Sequence, residues 1–247
     1  MRDGWLIRIL CCALLWLAMM PVLQAQEEEA DAPRAWTGLD VRAGSRNGGF
    51  AVFRAQSFRP LSLVYGASFD LVKDSREARI ESFYGDRGRR YVYGKLNHLA
   101  VLRPQAGLLW QALPRTDLNR IAVMAAVQAG PSLALLSPYY VEVPSGPLLN
   151  TRLAVPFDPA RYSYQGIIGR AGFLAGSPEP LLRIGAGAGA LVMLDWARAR
   201  HGFSGLSLGA DVNWFPAPLP VLAETPEIRN RSWTAAGSVG LFFGGKL

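Results

Sequence analysis

Between residues 204 and 216 apolar and small polar side chains take strict turns. Leu206, Leu208, Ala210, Val212 and Trp214 fall on one side, and Gly205, Ser207, Gly209, Asp211 and Asn213 on the other. Successive side chains of a β-strand point to opposite faces, so a period of two specifies a strand with one greasy and one hydrophilic face. The stretch before it is longer: Leu182, Ile184, Ala186, Ala188, Ala190, Val192, Leu194 and Trp196 alternate with Arg183, Gly185, Gly187, Gly189, Leu191, Met193 and Asp195. Strands of soluble domains run to about 5 to 6 residues, whereas a tilted strand that crosses a bilayer needs about 9 to 11. The alternation therefore predicts strands of membrane-crossing length.

The same period recurs along the chain. Trp233, Ala235, Val239, Leu241 and Phe243 share a face, as do Leu61, Leu63, Tyr65, Ala67, Phe69 and Leu71, and as do Ile121, Val123, Ala125, Val127 and Ala129. Segments 91–102, 105–113 and 133–143 follow it more loosely, and 36–44 and 49–56 most weakly. This gives an all-β, antiparallel transmembrane β-barrel of about ten strands, with eight as the alternative count. Ten strands require turns at Arg103-Pro104 and Gly130-Pro131, dipeptides suited to tight reversals. The long connections, near 74–90, 144–180 and 216–229, then all follow odd-numbered strands and gather at one end, with short turns at the other, as in outer-membrane barrels.

The N-terminus addresses the chain to that location. Arg2 and Arg8 precede an apolar run, and Leu23-Gln24-Ala25 ends it on a small residue, the pattern of a cleaved signal peptide over 1–25. A short linker, 26–35, leads to the barrel domain, 36–247. Beyond the signal no stretch has 18 consecutive apolar residues, which excludes a helical membrane bundle, although half the residues are hydrophobic. Both cysteines, Cys11 and Cys12, lie inside the signal, so the remaining chain has no disulfide and no cysteine lipid anchor. Removing Arg2, Arg8 and Asp3 takes 26 basic side chains to 24 and 19 acidic ones to 18, a balance of +6. That mild excess, on an exported chain, selects outer-membrane lipid, surface polysaccharide or another envelope protein as partner and not nucleic acid.

A sheet crosses hydrocarbon only when closed on itself, because every backbone polar group must find a protein partner. Apolar faces then meet lipid and the small hydrophilic faces line a narrow, plugged lumen. Trp36, Tyr91, Trp110, Trp196, Trp214 and Trp233 are candidates for interfacial girdles. Gly185, Gly187, Gly189, Gly205 and Gly209 leave room for lumenal groups to approach the wall. The competing architecture is a soluble periplasmic barrel or sandwich, in which the faces are reversed and an apolar ligand is carried.

Chemistry is sparse. Only His98 and His201 are available as bases; the ten-strand parity puts both on or beyond the periplasmic side, and neither belongs to a recognisable nucleophile-base arrangement. No spaced ligand pair suggests a metal, and the glycine-rich 185–189 stretch lacks the lysine of a phosphate loop. No cofactor is expected. A polar lumen cluster is the remaining candidate: Lys95, Asn97, Arg183, Asp195, Asp211 and Asn213, as a hydrogen-bonded filling or a small-solute site. Segment 144–180 is long for a loop, and a short helix within 164–175 is a candidate plug. The expected role is non-catalytic, structural or binding; a barrel enzyme acting on envelope lipid is the alternative.

Arg90-Tyr91-Val92-Tyr93-Gly94-Lys95-Leu96-Asn97, the run Gly130-Pro131-Ser132-Leu133-Ala134-Leu135-Leu136-Ser137-Pro138-Tyr139-Tyr140, and the ending Gly240-Leu241-Phe242-Phe243-Gly244-Gly245-Lys246 resemble a family of uncharacterised outer-membrane β-barrel proteins of Bacteroidota-type bacteria. The resemblance implies a location and a fold for nearly the whole chain after the signal, without an activity. The final Leu247 departs from the terminal aromatic common among such barrels.

Overall fold

The structure is a computed structural model that describes residues 35–44, 46–58, 61–84, 89–114, 121–145, 151–172, 175, 180–197 and 202–246. The expected signal peptide and His201 lie outside these residues. Eight long strands close into a barrel: β1 (Ala35–Gly44), β2 (Asn47–Phe58), β3 (Leu61–Val72), β6 (Asn97–Leu113), β7 (Ala122–Pro138), β11 (Leu181–Asp195), β12 (Gly202–Trp214) and β13 (Trp233–Lys246). Each pairs antiparallel with its neighbours, and β1 closes the cylinder against β13. At the loop end, β4 (Arg79–Ile80) pairs with β5 (Tyr91–Val92), and β8 (Tyr140–Ser145), β9 (Thr151–Pro156) and β10 (Gly169–Arg170) form a small sheet.

The strand number is eight, the alternative count, and not ten, because the chain runs straight through both supposed proline turns. The register passes from Leu102↔Leu133 to Ala106↔Ala129 with no pairs between, which places Pro104 opposite Pro131. Neither proline has an N–H to donate, so the ladder breaks at that rung and at the two beside it. Each strand is still held on its other side, by Ala67↔Pro104 and by Ala186↔Pro131. A pair of prolines therefore weakens one seam without turning the chain. The long connections gather at one end, as expected, and both strands that bound the barrel in sequence, β1 and β13, have their outer ends at the other.

The faces follow the alternation. Ile184 is 63% exposed, Val127 60% and Val52 53%, while the residues between them turn inward. Trp214 pairs with Trp233 at the loop end of this apolar belt, and Trp196 stands exposed at the other end, its backbone N–H donating to Ser204 O at 3.1 Å. Ten residues separate Ser204 from Trp214, and at about 3.3 Å per residue with a tilt of about 45° they climb about 23 Å. Two of the expected girdle residues are elsewhere. Trp36 lies inside, 6.2 Å from the Phe203 ring, because it sits on the inward parity of β1; Tyr91 is buried in the loop-end sheets.

Inside, the filling is layered. Toward the terminal end Phe53, Val64, Leu109, Met124, Met193, Phe203 and Phe242 form an apolar plug. At the loop end residues 215–232 fold across the mouth, where Phe215, Leu219, Val221 and Leu222 pack on Leu99, Val101, Ala134 and Leu136. Leu96 N–H donates to Val221 O at 2.9 Å and Ala223 N–H to Gly94 O at 2.7 Å, which fixes this cover to the rim. The plug expected from 164–175 is thus supplied by a different loop. That segment has one 3-10 turn, Tyr164–Gly166, and packs beside the mouth with Tyr139, Val141, Phe157 and Ile167 around Tyr91.

Candidate functional site

Between the two apolar plugs lies a layer of charged and polar side chains built from six strands. Arg42 of β1 grips Asp70 of β3 with two hydrogen bonds, Nε to Oδ1 at 3.0 Å and Nη2 to Oδ2 at 2.6 Å, and its Nη1 is 3.5 Å from Asp211 Oδ2. From β6, Arg103 donates to Asp211 through Nη2, to Gln105 Oε1 at 2.9 Å and to Asn213 Oδ1 at 3.3 Å. Ser132 of β7 donates to Asn213 Oδ1 at 2.7 Å, and Asn213 Nδ2 donates to Thr234 Oγ1 at 3.3 Å. Asp40 accepts from Ser207 at 2.6 Å through Oδ1, while its buried Oδ2 has no hydrogen-bond partner among the described residues. Bidentate arginine-carboxylate pairs are the strongest of such contacts, and in the closed lumen water screens them little.

Strand parity positions these groups, and glycine makes room for them. A Cβ at Gly187 would collide with Asn213, Ser132 and Arg103, and one at Gly240 with Ser207 and Asp40. Large side chains at these two positions would occupy the space that the arginine network fills. A cavity of about 20 Å³ remains beside Asp40, Asp211, Gln105 and Gln128, room for one water molecule.

The six residues expected to form one cluster divide among separate places. Asp211 and Asn213 belong to the charge layer. Asp195 lies at the terminal end, where its Oδ1 accepts from the N–H groups of Ala197 at 3.0 Å and Ser204 at 3.1 Å and braces the β11–β12 turn. Lys95 and Asn97 lie at the loop end: the first pairs with Glu77 at 2.7 Å, the second donates to Pro220 O at 2.7 Å. Arg183 is exposed near the loop end of β11. The single-cluster expectation fails because inward parity fixes direction and says nothing of height. Arg42, Arg103, Asp40 and Asp70, the heart of the layer, were missed. Arg103 had been assigned to a turn, and β1 carries the faintest alternation, although Asp40 and Arg42 two apart between Leu39, Val41 and Ala43 were a readable signal.

His98 stands at the loop end of β6, not on the periplasmic side that a ten-strand parity gave it, and meets the Tyr139 ring edge-on at 5.2 Å. Tyr139 in turn accepts the Val92 N–H at 3.1 Å. Burial, then the nearby Tyr164, Tyr93 and Tyr139, push the Tyr91 phenol up to about 12, and its hydroxyl donates to Tyr164 O at 3.1 Å. Outside the barrel wall, Asp74 is held below the usual carboxylate range by its hydrogen bonds from Arg76. Among the described residues no group of three histidine, cysteine, aspartate or glutamate side chains is placed to hold a metal.

No protein-family model matches the chain, and no curated protein matches it. Among solved structures it is similar to Neisserial surface protein A, at 9% identity and a TM-score of 0.41 over 86% of this chain and 94% of that one. It is also similar to Ail, the attachment invasion locus protein of Yersinia pestis, at 11% identity and a TM-score of 0.37 over 87% of this chain and 99% of Ail. A second structure of Ail, in complex with the heparin analogue sucrose octasulfate, has a TM-score of 0.35 at 11% identity.

Proposed function

We propose that this chain is a small integral protein of a bacterial outer membrane, exported by a cleaved signal peptide, with a sealed lumen and an envelope-structural or binding role carried by its loop end. The observation that carries this reading is the direction of the alternation. Leu39, Val52, Leu108, Val127, Ile184, Val212 and Leu241 all face out of a closed cylinder whose centre holds Arg42, Asp70, Arg103 and Asp211. A barrel carrying an apolar ligand in water would have these faces exchanged, with the greasy side lining the cavity. Acyl chains are the solvent that such an outer belt fits.

The loop end supports the binding half of the reading. Phe83, Tyr84, Tyr93 and Tyr164 expose their rings there, among Arg79, Arg89 and Arg90. Exposed aromatic rings interspersed with guanidinium groups suit stacking on sugar rings that carry acidic substituents, so surface polysaccharide is the partner class favoured, with another envelope protein second. The resemblance to barrels of Bacteroidota-type bacteria belongs to the same reading.

Envelope fractionation tests it. The protein is expected in the outer-membrane fraction, resistant to extraction by carbonate, and to migrate faster on a gel when unheated than when boiled. Recovery as a soluble periplasmic species, with one mobility in both conditions, would overturn it.

A further inference from the structure

The barrel wall is not of even height. Strand β13 pairs with β1 only from Ser238 onward, while Trp233↔Trp214 to Ala210↔Gly237 continue the pairing with β12 alone. Strand β1 ends at Gly44 and β2 begins at Asn47, and on the far side of this hairpin β3 ends at Val72 opposite Asn47. Above the hairpin there is therefore a notch, one side of which is the strand edge over residues 233–237, unpaired on that side among the described residues. Such an edge is a row of N–H and C=O groups that hydrocarbon does not satisfy. Exposed Trp233 beside it marks head-group height.

The notch is basic. A cavity of about 50 Å³ in it is lined by Arg46, Lys73, Arg231, Asp74 and Trp233. The Arg231 guanidinium lies 5.4 Å from the centre of the Trp233 ring. Asp74 is already engaged by Arg76 at 2.8 Å, and the side chains of Arg46 and Lys73 have no ion-pair or hydrogen-bond partner among the described residues. From Arg46 a larger trough of about 920 Å³ runs over the outer face of β13, β12, β11, β7 and β6, walled by Ala235, Ala210, Ala188, Ala129 and Ala106. Arg46 lines both spaces, so positive charge stands at the head of an apolar channel.

We infer that the notch binds the phosphorylated sugar head group of an acylated glycolipid from the leaflet at the loop end, with one acyl chain lying in the alanine trough. The inference rests on the outer-membrane reading above. Three cations facing a carboxylate that is already paired match a head group with more than one phosphate. Sugar hydroxyl and amide groups supply the donors and acceptors that the open strand edge lacks, which a single-phosphate glycerolipid does to a lesser degree.

The test uses the full mature chain refolded in an uncharged detergent, with heat-modifiable migration checked first. A preparation that fails this check overturns the outer-membrane reading and the inference with it. Native mass spectrometry of the folded protein then compares adducts with bisphosphorylated lipid A, phosphatidylglycerol and phosphatidylcholine at equal concentration. Lipid A is expected to be retained at least tenfold more than either glycerolipid. The pair Arg46→Ala with Lys73→Ala is expected to reduce that retention about tenfold, and Ala188→Phe, which fills the trough, to reduce it without altering heat modifiability. Equal retention by heat-modifiable wild type and both variants, preference for phosphatidylglycerol, or absence of any adduct would overturn the assignment while leaving the barrel in its membrane.

Discussion

Leu208→Arg places the whole membrane argument on one side chain. Leu208 lies on the outer face of β12 between Val192 and Val239 and is 45% exposed. It is six residues from Trp214, about 20 Å along the strand and about 14 Å along the barrel axis at a 45° tilt, close to the middle of an apolar band about 25 Å tall. Arginine at that depth on a lipid-facing position costs about 2–4 kcal/mol, which is about 30- to 700-fold in the folding equilibrium. The assay is urea-dependent folding into phospholipid vesicles, read by gel mobility and tryptophan fluorescence. Ala160→Arg, on an exposed loop-end turn, is the control and is expected to stay within about 0.5 kcal/mol of wild type. If Leu208→Arg also stays within that margin, the outer face meets water and the reasoning from alternation to membrane is refuted.

Asp211→Ala leaves Arg103 without its carboxylate and Arg42 with Asp70 alone, and removal of one partner from a buried ion network costs about 3–5 kcal/mol. In the same vesicle assay a loss below about 1 kcal/mol would mean that the lumen is wet enough to screen the pair. Replacing Pro104 and Pro131 together by valine restores two N–H groups at facing positions and is expected to stabilise the barrel by about 1–3 kcal/mol, at about 0.5–1.5 kcal/mol per bond; the amides introduced at positions 104 and 131 should be protected from hydrogen exchange, and free exchange there would show the seam does not re-form. Tyr91, whose neutral form is favoured in the fold, contributes stability that is complete below its ordinary value near 10 and lost as pH rises through about 12. Limited proteolysis of the loop end should become rapid in that window, and Tyr91→Phe should extend protection to higher pH; an identical alkaline profile for the variant would remove Tyr91 from the cause.

Period two was enough to fix the direction of nearly every barrel side chain, because one inward glycine or serine between outward alanines or leucines carries the same information at any position. What it does not carry is where a strand stops. Pro104 and Pro131 look like turn residues in isolation, and only the register makes clear that they face each other, so one broken rung replaces two reversals. Height within the lumen was equally invisible: Asp195, Asp211 and Arg183 share an inward parity yet brace a turn, join an ion network and meet solvent, respectively. The mouth-covering role of 215–232 depends on long-range packing of Leu219 and Val221 against Leu99 and Leu136, a pairing that no local pattern announces.

The three-layered filling constrains where function can reside. A solute passing through would have to part the packed rings of Phe203 and Phe242 at one end, displace Phe215 and Leu219 at the other, and cross a layer in which two arginines and three aspartates already satisfy most of one another's charge. The two apolar barriers are cores in the ordinary sense, built of buried side chains packed on one another. The ion layer is then best understood as the element that fixes register, since a one-residue slip of β1, β6 or β12 would turn Arg42, Arg103 or Asp211 into hydrocarbon at a cost of several kcal/mol. With the interior committed to holding the cylinder in one register, the proposed recognition is left to surfaces outside it: the basic notch above the β1–β2 hairpin and the aromatic loop end.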